Sequence, residues 1–179
     1  MMVFWRQGYE GCSISELVSA TGVQRQSLYL AFGDKRGLFL AALNRYRELA
    51  VESLGPLSQP SAGITELEQY MKRVLDMQRA QSCGACFMVK TAFGPDTRDD
   101  EIRKVVEETA AAVRSAIASV IKRAVARGEL PVGTNPAESA AFLYSVLHGL
   151  SALTRTGGSI KHSVAVLTHA FQSLSASAA

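Results

Sequence analysis

The sequence predicts an all-α protein, and three observations carry that reading. Apolar residues recur at helical spacing through most of the chain, and no stretch keeps a period-two alternation between turn signals. The candidate helices are also bounded by capping residues and by glycine or proline. With 179 residues, 47% of them hydrophobic, the chain can bury a core without disulfides or a metal. No apolar run approaches the ~20 residues of a membrane-spanning helix. The start, MMVFWRQGYEG, lacks the basic, apolar and small-residue sections of a secretory signal. A cytoplasmic protein without a membrane partner is expected, its three cysteines reduced.

The elements follow in order. Ser13 caps a short helix, ISELVSA, and Glu16 at its third position completes a capping box; Thr21-Gly22 ends it. Gln24 opens a second short helix through RQSLYLAF, stopped by Gly33. Asp34 caps a longer helix with Leu38, Ala42, Arg45 and Leu49 at helical spacing, closed by Gly55-Pro56. GPLSQPSAG reads as a loop. Ile64, Leu67, Met71, Val74, Leu75 and Gln78 then trace an amphipathic helix, and CFMVKTAFG a short apolar one closed by Gly94-Pro95. Asp99 caps a long helix that holds its period from Ile102 to Ala124 and stops at Gly128. Asn135-Pro136 opens a helix to about Leu153, SIKHSVAVLTHAFQSLS forms the last, and the final ASAA is expected to fray. AESAAFLYSVLHGLSAL is apolar around most of its circumference, more than one neighbour covers; a second subunit or a central core position would account for it.

A net charge of +3 permits nucleic-acid binding without requiring it. The first fifty residues carry 6 Lys+Arg against 4 Asp+Glu, and the remainder 13 against 12, so affinity for DNA must come from local placement. Two short helices about a turn with Gly22 fit a helix-turn-helix, whose second helix lies in the major groove. Ile14, Leu17, Val23 and Leu28 are expected to form its small core. Gln24, Arg25, Gln26, Ser27, Tyr29 and Leu30 are left variously outward. Arg and Gln suit guanine and adenine edges, and Ser and Tyr hydroxyls suit phosphates. The competing reading is a solvated polar helix face.

FWRQGYEGCSISELVSATGVQRQSLYLAFGDKRGLFLAAL resembles the DNA-binding region of the TetR family of transcriptional regulators. Phe4, Gly8, Tyr9, Ser13, Gly22, Val23, Leu28, Tyr29, Phe32, Lys35 and Leu38 match the family pattern in order. ARGELPVGTNPAESAAFLYSVLHGL resembles, more weakly, the stretch before its dimerising helices. Cys12, Val18, Thr21 and Ala31 depart from the pattern, where Thr, Ala, Ala and His are common. The resemblance implies a homodimer with a helix-turn-helix domain at 1–46 and an effector-binding and dimerisation domain at 47–179. Carried over by position, Arg25, Gln26 and Ser27 approach bases, while Ser13, Tyr29 and Lys35 hold phosphates of a double-stranded operator. The implied mechanism is repression relieved by a small ligand that respaces the two reading heads. Family members usually carry further residues before Phe4, and the missing part of the first helix would cover the core around Val23 and Phe39. The expectation is therefore a start inside a longer reading frame, or weak DNA binding.

Tyr70, Met71, Leu75, Phe87, Met88, Phe93, Val113, Ile117, Tyr144 and His148 are the candidate wall of an effector pocket, apolar and aromatic with few polar anchors. A plain core would contain the same residues, and His148 reads as a hydrogen-bonded helix residue before a metal ligand. CGAC places Cys83 and Cys86 in a Cys-x-x-Cys, open to three readings: a redox or electrophile sensor at a helix start, a metal sensor, or ordinary helix-start or core cysteines. A zinc site wants four ligands, and the third cysteine lies in the reading head, so no metal is assigned. His148, His162 and His169 are scattered, no cofactor motif stands near either thiol, and so no catalytic residue or cofactor is assigned. The expected function is a ligand-released repressor without catalysis. The alternatives are a thiol-sensing repressor and a dimeric ligand-binding protein with impaired DNA binding.

Overall fold

The computed structural model describes residues 1–80, 85–153 and 159–176. Among them the regular structure is helical, as the sequence predicts. The helices are α1 (Met2–Gln7), α2 (Ile14–Thr21), α3 (Arg25–Phe32), α4 (Lys35–Glu52), α5 (Gly55–Ser58), α6 (Ile64–Ala80), α7 (Phe87–Ala92), α8 (Asp100–Ala126), α9 (Pro136–Leu153) and α10 (Ile160–Ala176). A 3₁₀ turn at Pro95–Arg98 precedes α8. The chain forms two compact units, Met1–Ala50 with Phe87–Thr109, and Val51–Cys86 with Ala110–Ala179. Segment 87–109, grouped with the effector region on sequence grounds, thus packs with the first unit.

In the first unit the expected caps form. Ser13 Oγ accepts from the Glu16 N–H at 3.2 Å, and the Ser13 N–H donates to Glu16 Oε2 at 2.7 Å. Gly22 takes φ +68°, the left-handed conformation that lets the chain turn out of α2. Asp34 Oδ1 accepts the Gly37 N–H at 2.7 Å. A Cβ at position 37 would stand 1.9 Å from the Phe32 carbonyl oxygen, so glycine is what lets α4 begin hard against the end of α3.

An aromatic cluster holds this unit together. Phe4, Trp5, Phe39 and Phe87 are each no more than 2% exposed. Phe39 meets Phe4 at 5.1 Å and Phe87 at 5.7 Å between ring centroids, and Trp5 meets Tyr46 at 5.0 Å. Each such side chain contributes about 1.5–3 kcal/mol by burial, with edge-to-face contacts adding to it. Phe39, expected to need cover from a longer first helix, is fully buried, and Phe87 supplies part of that cover. The small core of α2 and α3 is narrower than expected. Leu17 and Leu28 are buried and Ile14 half-buried, but Val23 stays 39% exposed because it stands in the turn rather than on a helix's inner face.

The second unit is built on α6, α9, α10 and the later turns of α8, with Leu67, Met71, Ile117, Ile121, Leu143 and Leu167 fully buried at its centre. The expected loop after Gly55 contains a helical turn, α5, with Pro56 in its first turn, where the missing N–H is harmless. Arg123 Nη2 donates to the Leu57 carbonyl at 2.6 Å and Arg127 Nη2 to that of Ala62 at 2.9 Å, pinning this segment. Asn135 Oδ1 caps α9 by accepting the Ala137 N–H at 3.0 Å. Phe142 on α9 and Val164 on α10 remain 43% exposed, so the apolar surplus of these helices reaches the surface of the single chain.

Candidate nucleic-acid interface

The polar residues of α3 face outward. Gln24 precedes the helix in extended conformation without spending its side chain on a cap. Arg25, Gln26, Ser27 and Leu30 are exposed and Tyr29 is half-buried. Arg25 Nη2 donates to the Tyr29 hydroxyl at 3.1 Å, one helical turn along, and its guanidinium lies 5.3 Å from that ring's centroid. Leu30 is 82% exposed. Residues 22–33 include no Asp or Glu. Lys35 Nζ sits 4.5 Å from the centroid of the Tyr9 ring. Among the described residues Arg25 and Lys35 form no ion pair, whereas Arg36, Arg45 and Arg47 each do.

Ser13 is more committed to the fold than its candidate phosphate role suggests. Its N–H and hydroxyl both engage Glu16, and these bonds, with one from Gln7, hold the Glu16 carboxyl below the usual carboxylate range. Ser13→Ala is expected to lower stability by about 1 kcal/mol through the lost cap. A urea titration read by helical circular dichroism checks this, and an unchanged midpoint would show that the cap contributes nothing.

Sequence reasoning missed the residues that position the reading head. Lys90 Nζ donates to the carbonyls of Trp5 at 2.6 Å and Arg6 at 2.8 Å, meeting the C-terminal end of α1, where helix carbonyls lack partners. Arg36 at the start of α4 grips Asp99 and Glu101 at the start of α8, and Arg47 Nη1 pairs with Glu108 at 2.6 Å. The Arg36 hydrogen bonds hold the Asp99 carboxyl at about 2. No local pattern announces such pairs, because their partners lie more than sixty residues apart.

The family follows from comparison with known proteins. Residues 1–42 match the model of bacterial regulatory proteins of the tetR family, and residues 63–170 match the tetracyclin repressor-like C-terminal domain. This chain belongs to the TetR family of transcriptional regulators. It is 30% identical over 166 residues to the HTH-type transcriptional repressor ComR of Escherichia coli, spanning 90% of this chain and 78% of ComR. It is 32% identical over 133 residues to YezE of Bacillus subtilis, an uncharacterized HTH-type transcriptional regulator, spanning 72% of this chain and 67% of YezE. A cysteine mutant of the TetR-family regulator CifR, solved with a 26 bp double-strand operator DNA, matches with a TM-score of 0.74 and 26% identity, over 96% of this chain and 91% of that one. A TetR-family regulator from Agrobacterium tumefaciens shares the fold with a TM-score of 0.85 at 17% identity, over 97% of this chain and 92% of that one.

The regulator's ten candidate effector residues do not form one set. Tyr70, Met71, Leu75, Val113, Ile117, Tyr144 and His148 belong to the second unit, and Phe87, Met88 and Phe93 to the first. Phe87 is spent in the aromatic cluster and Met88 is buried. Phe93 cannot line an enclosed pocket, because it follows the last turn of α7 with 86% of its surface exposed. Of the thiol pair, Cys83 lies outside the described residues. Cys86 is buried, its N–H donating to Ser151 Oγ at 2.9 Å, and burial withdraws a thiol from oxidants.

His148 also departs from expectation. Instead of being hydrogen-bonded, both of its ring nitrogens are shielded from water and meet no hydrogen-bond partner among the described residues. Burial pushes its pKa down to about 4 from 6.5. The unfolded chain therefore takes up this proton first as pH falls. The contribution of neutral His148 is complete above 6.5 and is lost as pH drops through 4, amounting to about 3 kcal/mol at ~1.4 kcal/mol per pKa unit. His148→Phe is expected to flatten the stability profile between those pH values, measured as urea midpoints. A variant profile as steep as the original would contradict this.

Proposed function

We propose that this regulator is a repressor which binds a palindromic double-stranded operator as a homodimer and leaves it when a small effector enters the second unit. The observation that carries the DNA-binding reading is the outward face of α3, where Arg25, Gln26, Ser27 and Leu30 are exposed together without a carboxylate among them. Arg25, Gln26 and Ser27 are proposed to meet base edges, while Tyr29, Lys35 and Ser13 hold the phosphate backbone and Gln24 and Leu30 complete the surface. Residues 1–46 do the reading, and 47–179 supply the effector site and dimer contacts, with segment 87–109 also bracing the head. The exposed apolar positions Phe142 and Val164 support α9 and α10 as the dimer surface. The chain passes between its two units inside α4, inside α8 and between Cys86 and Phe87. A ligand that favours one arrangement of the second unit can therefore bias the spacing of two reading heads.

The test is selection of a binding site from random duplex DNA, followed by gel shifts over a salt series. The expected result is a two-fold symmetric site whose half-sites lie one helical turn or a multiple apart, bound with strong salt dependence. Failure to enrich any sequence would overturn the reading.

A further inference from the structure

The interior of the second unit carries an unmet chemical demand. α9 packs against α6 in the same core. His148 on α9 offers neither ring nitrogen a partner among the described residues, and neither has Oε1 of Gln78 on α6, a residue only 1% exposed. A buried polar atom without a partner is unfavourable, and most such atoms are satisfied by protein, water or a ligand. The core between these helices is largely apolar, with the hydroxyl-bearing Ser151 also buried on α9. Leu143, Leu147 and Leu150 of α9 and Met71 and Leu75 of α6 are buried, and the Tyr144 ring meets His148 edge-on at 4.0 Å.

The demand has a definite chemistry. A neutral imidazole presents one donor and one acceptor, and the Gln78 side-chain carbonyl a further acceptor. Burial keeps His148 neutral at ordinary pH. The cation seen nearest on α8, Arg114, has its guanidinium 5.5 Å from the Tyr144 ring centroid and is itself exposed, so it does not neutralise an anion in the interior. A carboxylate can accept from the ring N–H but has no proton for the other ring nitrogen, and Arg79 beside Gln78 is already engaged with Ser163 Oγ at 2.8 Å, whereas a hydroxyl satisfies either edge of the ring.

We propose that His148 is the specificity-determining contact of the effector site, selecting an uncharged guest with a hydroxyl on an apolar, ring-sized body. This rests on the effector-released reading above and sharpens it, from a hydrophobic ligand to one that must donate and accept a hydrogen bond.

The experiment uses the full chain and three probes that share a ring: phenol, toluene and benzoate. Binding is followed by thermal shift and by the ring ¹⁵N resonances of labelled histidine, those of His148 being identified by their loss in H148F. Phenol is expected to bind about tenfold or more tightly than toluene or benzoate, since a site with buried polar groups rejects analogues that leave them unpaired. It is also expected to move the His148 ring resonances. H148F is expected to erase the preference for phenol over toluene, and H148N, which keeps a donor and an acceptor, to retain part of it. Absence of phenol binding overturns the proposal, and is the outcome if ordered water satisfies these atoms. Equal binding of the probes, tightest binding of benzoate, or an H148F preference unchanged from the parent overturns it as well. The selected-site gel shift, run without any probe, tests the repressor reading separately, so the two can fail independently.

Discussion

Replacing Phe87 by alanine is expected to lower the regulator's stability by about 3–5 kcal/mol, the range for truncating a fully buried aromatic side chain. Its ring is 1% exposed, lies 6.4 Å from Trp5, and meets Phe39 and Tyr46 at 5.7 Å each. Truncation therefore opens a void beside three large side chains that cannot all collapse into it. The total stability of a folded domain is only about 5–15 kcal/mol, so a loss of this size empties much of the native population. Trp5, the only tryptophan in the chain, lies in the affected cluster and reports the transition by fluorescence during urea unfolding. Phe93→Ala is the control: the same change six residues on, at an 86% exposed position, is expected to stay within about 0.5 kcal/mol. Equal, small effects at both positions would show that Phe87 does not hold the first unit together. Loss of operator binding should accompany Phe87→Ala, although this residue lies far along the sequence from the reading helix.

The second large effect is expected at Arg25. A bidentate Arg contact to guanine contributes about 1–3 kcal/mol of discrimination, and a homodimer uses it twice. Arg25→Ala should thus weaken binding to the selected operator by about 2–6 kcal/mol, from roughly thirtyfold to roughly 25,000-fold, while affinity for unrelated DNA falls little. In the free protein Arg25 donates to the Tyr29 hydroxyl and lies over its ring at an exposed position, so turning toward a base forfeits one solvent-accessible hydrogen bond and one exposed ring contact. Lys35→Ala should behave differently. A phosphate contact carries no sequence information, so its loss should weaken all sequences alike and reduce the slope of log affinity against log salt by about 0.9 per contact. Fluorescence anisotropy with the selected operator, single-base variants of it and a scrambled duplex separates these outcomes. If Arg25→Ala weakened operator and scrambled duplex equally, Arg25 would be a backbone contact.

Much of the reading head was legible because its signals are local. Ser13 and Glu16 stand three residues apart and form their capping box whatever surrounds them, and Asp34, Asp99 and Asn135 cap α4, α8 and α9 by the same short-range geometry. Gly22 ends α2 because only a residue at ease with positive φ makes that turn. The candidate effector site was legible only in part. Tyr70, Met71, Leu75, Val113 and Ile117 are recognisable as inward residues from helical spacing, but spacing does not say which inward residues meet. Phe87, Met88 and Phe93 share one short apolar segment that spacing groups with them, yet that segment packs with the first unit.

The sequence by itself determined the all-α class, most helix ends, the family and the outward chemistry of α3. These follow from neighbours within one or two turns, whose capping, periodicity and charge are readable in one dimension. Tertiary structure alone decided that Phe87 closes the aromatic cluster of the reading head, that Lys90 meets the end of α1, and that Arg36 pairs with Asp99. It also decided that His148, an unremarkable helix residue in the sequence, has two shielded nitrogens that meet no partner among the described residues. Contacts between distant segments depend on how helices pack, and packing is a property of the assembled volume that no local run of residues encodes.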